Sequence, residues 1–180
     1  DSRGGLRQGK RSVYEGGHRV PFLVRWPAGI VEPGRRWDKI VGQVDLMATF
    51  AELLGSELPA AAGEDSQSFA PVLVDAAADY QRQPLITHGN GGGSHRYAIT
   101  AGDWKLVLPE GKNGVELYDL SADRAETKNI AAQHPETVEQ LTAQITRIVR
   151  EGRSTPGAPQ ANDTGYWDDL TWMSEAEYNE

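Results

Sequence analysis

The sequence predicts an α/β chain: a piece of an α/β sheet with one helix, then a linker, then a small antiparallel sheet packed on a second helix. Three observations carry this. Residues 20–26 (Val-Pro-Phe-Leu-Val-Arg-Trp) form a short, nearly continuous apolar run. Four short strand-like segments lie between residues 84 and 120, separated by Gly-rich turns. Val138, Leu141, Ile145, Ile148 and Val149 then form an apolar stripe at helical spacing.

In chain order, the run at 20–26 suits a strand buried on both faces, with Pro21 confined to its start or to an edge. Apolar residues at 46, 47, 50, 53 and 54 predict a helix over 44–54, with Asp45 placed to cap it and Gly55 to end it. Residues 56–82 are rich in Ala, Pro, Ser and acids and read as a connection, with one helical turn near 69–73. Strands are expected at 84–87, 96–100, 104–108 and 116–120; their close turns favour antiparallel pairing. Leu106 and Leu108 alternate with Lys105 and Val107, which fits a sheet with one covered face. Pro135 and Glu136 start the covering helix and Gly152 ends it. The tail from Arg153 lacks periodicity and is expected to wrap over the surface, anchored by Trp167 and Trp172. The predicted division is therefore 1–80 for the α/β part, 81–152 for the antiparallel subdomain and 153–180 for the tail. Trp104, Tyr97 and Tyr118 read as sheet core.

Composition narrows the function classes. The chain has 180 residues, 38% hydrophobic and 24% charged, as in ordinary globular proteins. Its formal net charge is −8, which disfavours nucleic acid as a partner, because phosphate contacts need clustered Lys and Arg. No run of about 18 apolar residues exists, so no membrane span is expected. With no cysteine, disulfides, thiolate metal sites and a cysteine-derived nucleophile are excluded from this chain. The polar, Gly-rich start at Asp1 reads as a loop cut in its middle, so the chain is expected to be a fragment.

The densest candidate site is Gly9-Lys10-Arg-Ser-Val-Tyr14-Glu15-Gly16-Gly17-His18-Arg19-Val20-Pro21. Paired glycines permit a positive-φ turn or a close backbone approach. A cation fixed on a loop at a strand end of an α/β sheet can hold a sulfate or phosphate. The plainer reading is a solvated basic loop with a Glu15–Arg19 or Glu15–Lys10 ion pair.

This segment resembles the second signature region of the sulfatase family, Gly-x-Lys-x-x-x-(Tyr/Trp)-Glu-Gly-Gly-x-Arg-(Val/Glu)-Pro, and Lys10, Tyr14, Glu15, Gly16, Gly17, Arg19, Val20 and Pro21 match it. Further segments follow in family order. Arg25-Trp26-Pro27 and Val44-Asp45-Leu46-Met47-Ala48-Thr49 are similar to a strand end and a helix of the family. So are Gly102-Asp103-Trp104-Lys105-Leu106, Glu116-Leu-Tyr-Asp-Leu120 with Asp123, Glu126 and Asn129, and the tail segment Arg153-Ser-Thr-Pro-Gly157 with Gln160 and Asn162. His18, Ala48, Arg124 and Ile130 depart from the usual pattern; His18 reads as a tolerated loop residue or a modifier of the pocket rim.

The resemblance implies the C-terminal end of an alkaline-phosphatase-like α/β domain followed by a small subdomain. It implies that Lys10 binds the sulfate of a sulfate ester, a small molecule or a sulfated glycan. Glu15, Gly16, Gly17 and Arg19 would support the loop that aims it. The family's formylglycine nucleophile and Ca²⁺ ligands would lie outside this chain, in an N-terminal part, so no metal ligand is expected here and the chain alone is expected to be inactive. Asp168-Asp169 is a poor substitute for a calcium site, which needs several convergent oxygens. His88 and His95 flank the Gly-rich 89–94 loop, which reads either as a flexible hairpin loop or as a rim contacting the organic part of the substrate. Family members are often exported, which implies a periplasmic or secreted setting. A phosphonate or phosphate ester hydrolase of the same superfamily fits the same residues, and so does a non-catalytic binding module that kept the fold.

Overall fold

A computed structural model describes residues 4–91 and 95–180. Its centre is a four-stranded antiparallel sheet in the order β1 (Leu85–His88), β2 (Tyr97–Ala101), β3 (Trp104–Val107), β4 (Glu116–Asp119). Every strand falls within one residue of its expected span. The meander follows from turn chemistry: Gly102 adopts φ +57° between β2 and β3, a conformation that costs a side-chain-bearing residue energy.

The register separates two faces. Ile86, Ile99, Leu106 and Leu117 stand opposite one another in one row. They pack on α4 (Pro135–Glu151) through Leu141, Ile145 and Ile148. This helix has its expected bounds, because Pro135 occupies its first position and Gly152 closes it at φ +63°. Leu170 and Met173 of the tail complete this core. Trp167 and Trp172 anchor the tail, donating to the Tyr97 hydroxyl at 3.0 Å and to Thr146 Oγ1 at 3.1 Å.

The other face is covered too, contrary to expectation. Lys105 and Val107 are each 0% exposed. Val13 and Tyr14 pack there against Ala98, Val107 and Tyr118. The sheet is thus sandwiched between α4 and the segment that carries the candidate site. A charged residue at an alternating position reads as solvent-facing, and only tertiary contact reveals it as buried. Tyr97 and Tyr118 are core residues, as expected, and Trp104 packs at the core's margin.

Three other expectations need correction. Residues 20–26 form no strand: among the described residues no strand lies beside them, and Leu23 is 88% exposed. The expected helix over 44–54 is a 3₁₀ turn, Gln43–Asp45, running into α2 (Leu46–Leu53). Its apolar stripe stays largely outside, with Met47, Phe50 and Leu54 exposed, while Thr49 is buried and bonds the Asp45 carbonyl and the Phe69 amide. Asp45 does not cap α2 with its side chain. It is fully buried against Arg82, with two contacts of 2.7 Å, and accepts from the Gly42 amide. The helical turn near 69–73 is α3 (Ala70–Val74), and the tail ends in α5 (Glu175–Asn179). Ser174-x-x-Glu177 caps α5 reciprocally, a sequence signature that the tail's lack of periodicity obscured.

Candidate functional site

The segment 7–19 is folded by buried charge. A short helical turn, α1 (Glu15–His18), carries Gly16 and Gly17. Neither glycine has a positive φ; both serve close approach. A Cβ on Gly16 would lie 2.4 Å from the carbonyl oxygens of Arg7 and Gln8, and one on Gly17 would lie 2.2 Å from that of Ser12. Any side chain there would push the 7–12 loop off the turn. Lys10 stands on that loop between these contacts.

Beneath the turn lies a triad of charged groups. Lys105 Nζ, from β3, donates to Glu15 Oε1 at 2.9 Å and lies 2.8 Å from Glu126 Oε1. The side chains of Lys105 and Glu126 are fully buried, and that of Glu15 is 5% exposed. Glu126 Oε2 accepts the Glu15 backbone N–H at 2.7 Å. Its other oxygen is the one paired with Lys105. Arg19 closes the set on Glu15 Oε2 at 2.9 Å.

Burial pushes the Glu15 carboxyl up, but Lys105, Arg19 and His18 outweigh it, and the group sits below its ordinary range. For Glu126 burial wins over the pull of Lys105, and its pKa is raised. The expected Glu15–Arg19 pair is therefore present, whereas the second partner of Glu15 is Lys105 rather than Lys10. His18 is half-buried; its Nε2 lies 3.0 Å from the Val13 carbonyl and 3.1 Å from Lys105 Nζ. Burial and then the Lys105 charge lower its pKa, so the ring is neutral near pH 7.

A second cluster fixes the other side of the segment. Glu116 of β4 binds Arg96 at 2.7 Å, Arg7 at 2.9 Å, the Tyr14 hydroxyl at 2.9 Å and the Tyr118 hydroxyl. Burial raises the Glu116 carboxyl, yet these donors bring it down to about 2. Burial and the bond to Glu116 push Tyr14 up to about 12. Arg7 also lies over the Tyr14 ring, 3.7 Å from its centroid.

Lys10 itself is exposed and makes no ion pair among the described residues. It and the adjacent Arg11, also exposed, are the cations of this loop without a carboxylate partner among the described residues, whereas Arg7 is held by Glu116. The Gly-rich loop after β1 lies against that loop: the Asn90 N–H donates to the Arg11 carbonyl at 3.0 Å, and a Cβ on Gly91 would lie 3.0 Å from Arg11 Cβ. Residues 92–94 of that loop lie outside the described residues. His88 and His95 at its ends are exposed, with ring centroids 6.0 Å apart. Sequence reasoning missed Lys105, Glu126, Glu116, Arg96 and Arg7 as builders of the site. Lys105, Glu116 and Glu126 lie inside the segments that carried the resemblance, which was their only signal.

The described residues do not fit calcium. Their one cluster of three His, Asp or Glu side chains close enough to share an ion is His88, His95 and Asp169, with two nitrogen donors rather than the oxygens that calcium prefers. Among the described residues no helix is long and apolar enough to cross a membrane.

Comparison with known proteins places this architecture. Residues 7–153 match the family model for the C-terminal region of N-sulphoglucosamine sulphohydrolase. The chain is 38% identical to an N-acetylgalactosamine-6-O-sulfatase of Bacteroides thetaiotaomicron over 156 residues, 79% of this chain and 29% of that protein. It is 30% identical to arylsulfatase K of Xenopus laevis over 152 residues, 78% of this chain and 27% of that protein. A Bacteroides thetaiotaomicron structure from work on the metabolism of multiple glycosaminoglycans superposes with a TM-score of 0.71 at 33% identity, over 81% of this chain and 32% of that one. The structure of Ps i-CgsB with k-i-k-neocarrahexaose shares the fold at a TM-score of 0.72 and 22% identity, over 92% of this chain and 37% of that one. The chain therefore spans less than a third of the length of these curated relatives. With a family match over residues 7–153 and a relative at 38% identity over 79% of its length, the chain belongs to the family of sulfatase C-terminal regions.

Proposed function

We propose that this chain is the C-terminal portion of an enzyme that hydrolyses sulfate esters, and that Lys10 is its sulfate-binding cation. The supporting observation is the contrast between Lys10 and its surroundings. Glu15, Glu116 and Glu126 are all taken up by Lys105, Arg19, Arg96 and Arg7, whereas the exposed Lys10, like its neighbour Arg11, has no ion pair among the described residues and is left for an external anion.

As the bond between sulfur and the leaving oxygen breaks, negative charge grows on the bridging oxygen, and the sulfuryl oxygens remain electron-rich. A fixed ammonium beside them stabilises that charge without reorganising. A compact charge on a long stem suits one close contact. Glu15, Gly16, Gly17 and Arg19 position it: the ion pairs hold α1, and the glycines let the 7–12 loop rest on it. His88 and His95, on the loop that touches Arg11, stand at a rim suited to the organic part of the substrate. A sulfated glycan fits this reading, because the relative at 38% identity is an N-acetylgalactosamine-6-O-sulfatase.

The nucleophile, a formylglycine in this family, and the calcium that would gather negative charge belong on this reading to an N-terminal remainder. The exposed apolar side chains of Phe22, Leu23, Met47, Phe50 and Leu54 offer that remainder a surface to cover. The chain alone is accordingly inactive. The test is Lys10→Ala in the enzyme encoded by the extended reading frame, assayed on an aryl sulfate and on an aryl phosphonate. Sulfate turnover should fall by about 10²–10³-fold, as on deleting one anion-stabilising donor. Turnover within a few-fold of the parent would remove Lys10 from the reaction, and faster turnover of the phosphonate would favour the phosphohydrolase reading.

A further inference from the structure

We infer that His88, His95 and Asp169 form a binding site for a divalent transition-metal ion of the zinc class, joining the loop after β1 to the C-terminal tail. Their ligand atoms, two imidazole nitrogens and a carboxylate oxygen, all lie within 4.8 Å of one another. Tetrahedral zinc ligands at 2.0–2.1 Å from the ion stand about 3.3 Å apart. His95 Nδ1 and Asp169 Oδ2 already stand at 3.3 Å. Small rotations of exposed side chains bring in the third ligand.

The donor set selects the ion. Two neutral imidazoles and one carboxylate suit zinc and its neighbours in the first transition row, whereas calcium and magnesium prefer oxygen. Three protein ligands leave the fourth position to water or to a group on a bound molecule.

Each ligand is held by the fold rather than left on a free loop. His88 ends β1, and its ring stacks on buried Tyr97 at 4.3 Å, with the planes 1° apart. The Tyr97 hydroxyl accepts from Trp167, two residues before Asp169, and Leu170 immediately after it is 0% exposed. The backbone N–H of His95 donates to Glu110 Oε1 at 2.5 Å, and Arg96 beside it is buried. An exposed contact between His95 and Asp169 is weak by itself and would not require His88. The third corner is what a metal explains. The inference stands on this geometry and not on the sulfatase reading.

Calorimetric titration of the chelator-treated 180-residue chain with zinc chloride tests it, alongside thermal melting with and without zinc. One equivalent should bind and raise the melting temperature, because the ion binds the folded state. Asp169→Asn, which preserves shape, and His95→Ala should each weaken binding by at least about tenfold and abolish the thermal shift. His88→Ala should do the same, and melting in the absence of zinc shows whether loss of its stacking on Tyr97 unfolds the chain. His134→Ala should bind as the parent does. Absence of saturable binding below about 1 mM, or binding by Asp169→Asn equal to the parent, overturns the site.

Discussion

Replacing Lys105 by Met removes the one cation between two buried carboxylates while keeping most of the side-chain volume. Lys105 Nζ lies 2.9 Å from Glu15 and 2.8 Å from Glu126, and its side chain is fully buried. At such a distance one ion pair gains roughly 6 kcal/mol at an effective dielectric near 20. Most of that gain offsets the desolvation of the three charges, so the pairs contribute little net stability. Deleting the cation alone is another matter: two carboxylates remain buried without it, and such deletions cost about 3–5 kcal/mol. Arg19 still holds Glu15, which points to the lower half of that range. In urea or thermal unfolding the loss corresponds to a fall of roughly 6–16 °C for a chain of this size. Lys105→Met with Glu126→Gln should recover at least about 1 kcal/mol of it, because the stranded carboxylate is gone. A loss below about 0.5 kcal/mol for Lys105→Met, or a double substitution no better than the sum of the singles, would refute the buried-triad account.

Leu141→Ala should destabilise by about 2–5 kcal/mol in the same unfolding assay, since Leu141 is 6% exposed against the sheet. Gly17→Ala forces a Cβ to within 2.2 Å of the Ser12 carbonyl; a cost of about 1–3 kcal/mol is expected, together with reduced aryl sulfate turnover in the full-length enzyme. Lys10→Ala should leave stability within about 0.5 kcal/mol, as its side chain is exposed and unpaired. Glu116 sits at about 2 in the fold, so its contribution is full above the ordinary carboxylate range and is lost as the pH falls from about 4.5 to 2. That contribution amounts to roughly 2–3 kcal/mol. Glu126 has the opposite sign, being raised, and favours the fold more as the pH falls. Glu116→Gln should therefore flatten the acid limb of the stability profile, measured by urea unfolding between pH 5 and 2.

The small subdomain was legible because local rules decide it. Turn glycines, period-two segments and a stripe bounded by Pro135 and Gly152 fix four strands and α4 with almost no reference to distant residues. The segment at 20–26 was not legible in that way. Its apolar run states only that those side chains are suited to burial; the partner that would make them a strand is not among the described residues. The stripe on α2 misled for the same reason: Met47, Phe50 and Leu54 obey helical spacing, yet the buried position is Thr49, chosen by its bonds to Asp45 and Phe69. Lys10 and the Glu15-Gly16-Gly17-Arg19 run were visible through resemblance. Their supports, Lys105 and Glu126, are 90 and 111 residues from Glu15 in sequence. No periodicity registers a contact of that kind.

That separation bears on how the site keeps its shape. The segment 7–19 has only one four-residue helical turn of regular structure, so backbone hydrogen bonds contribute little to its order. Its rigidity comes from charge pairs closed off from water on one face of a sheet whose other face is bound to α4. Exposed pairs of this number would weaken with salt; pairs at 0–5% side-chain exposure are screened far less. On the proposed function a sulfate ester would bring its own negative charge to Lys10, and the groups around Lys10 must then not respond to it by moving. Glu15 and Glu126 cannot swing toward Lys10 without abandoning Lys105 in the interior, at a cost of several kcal/mol. The buried triad thus does for Lys10 what a helix or strand does for a residue elsewhere: it makes every alternative position of the loop more costly than the one observed.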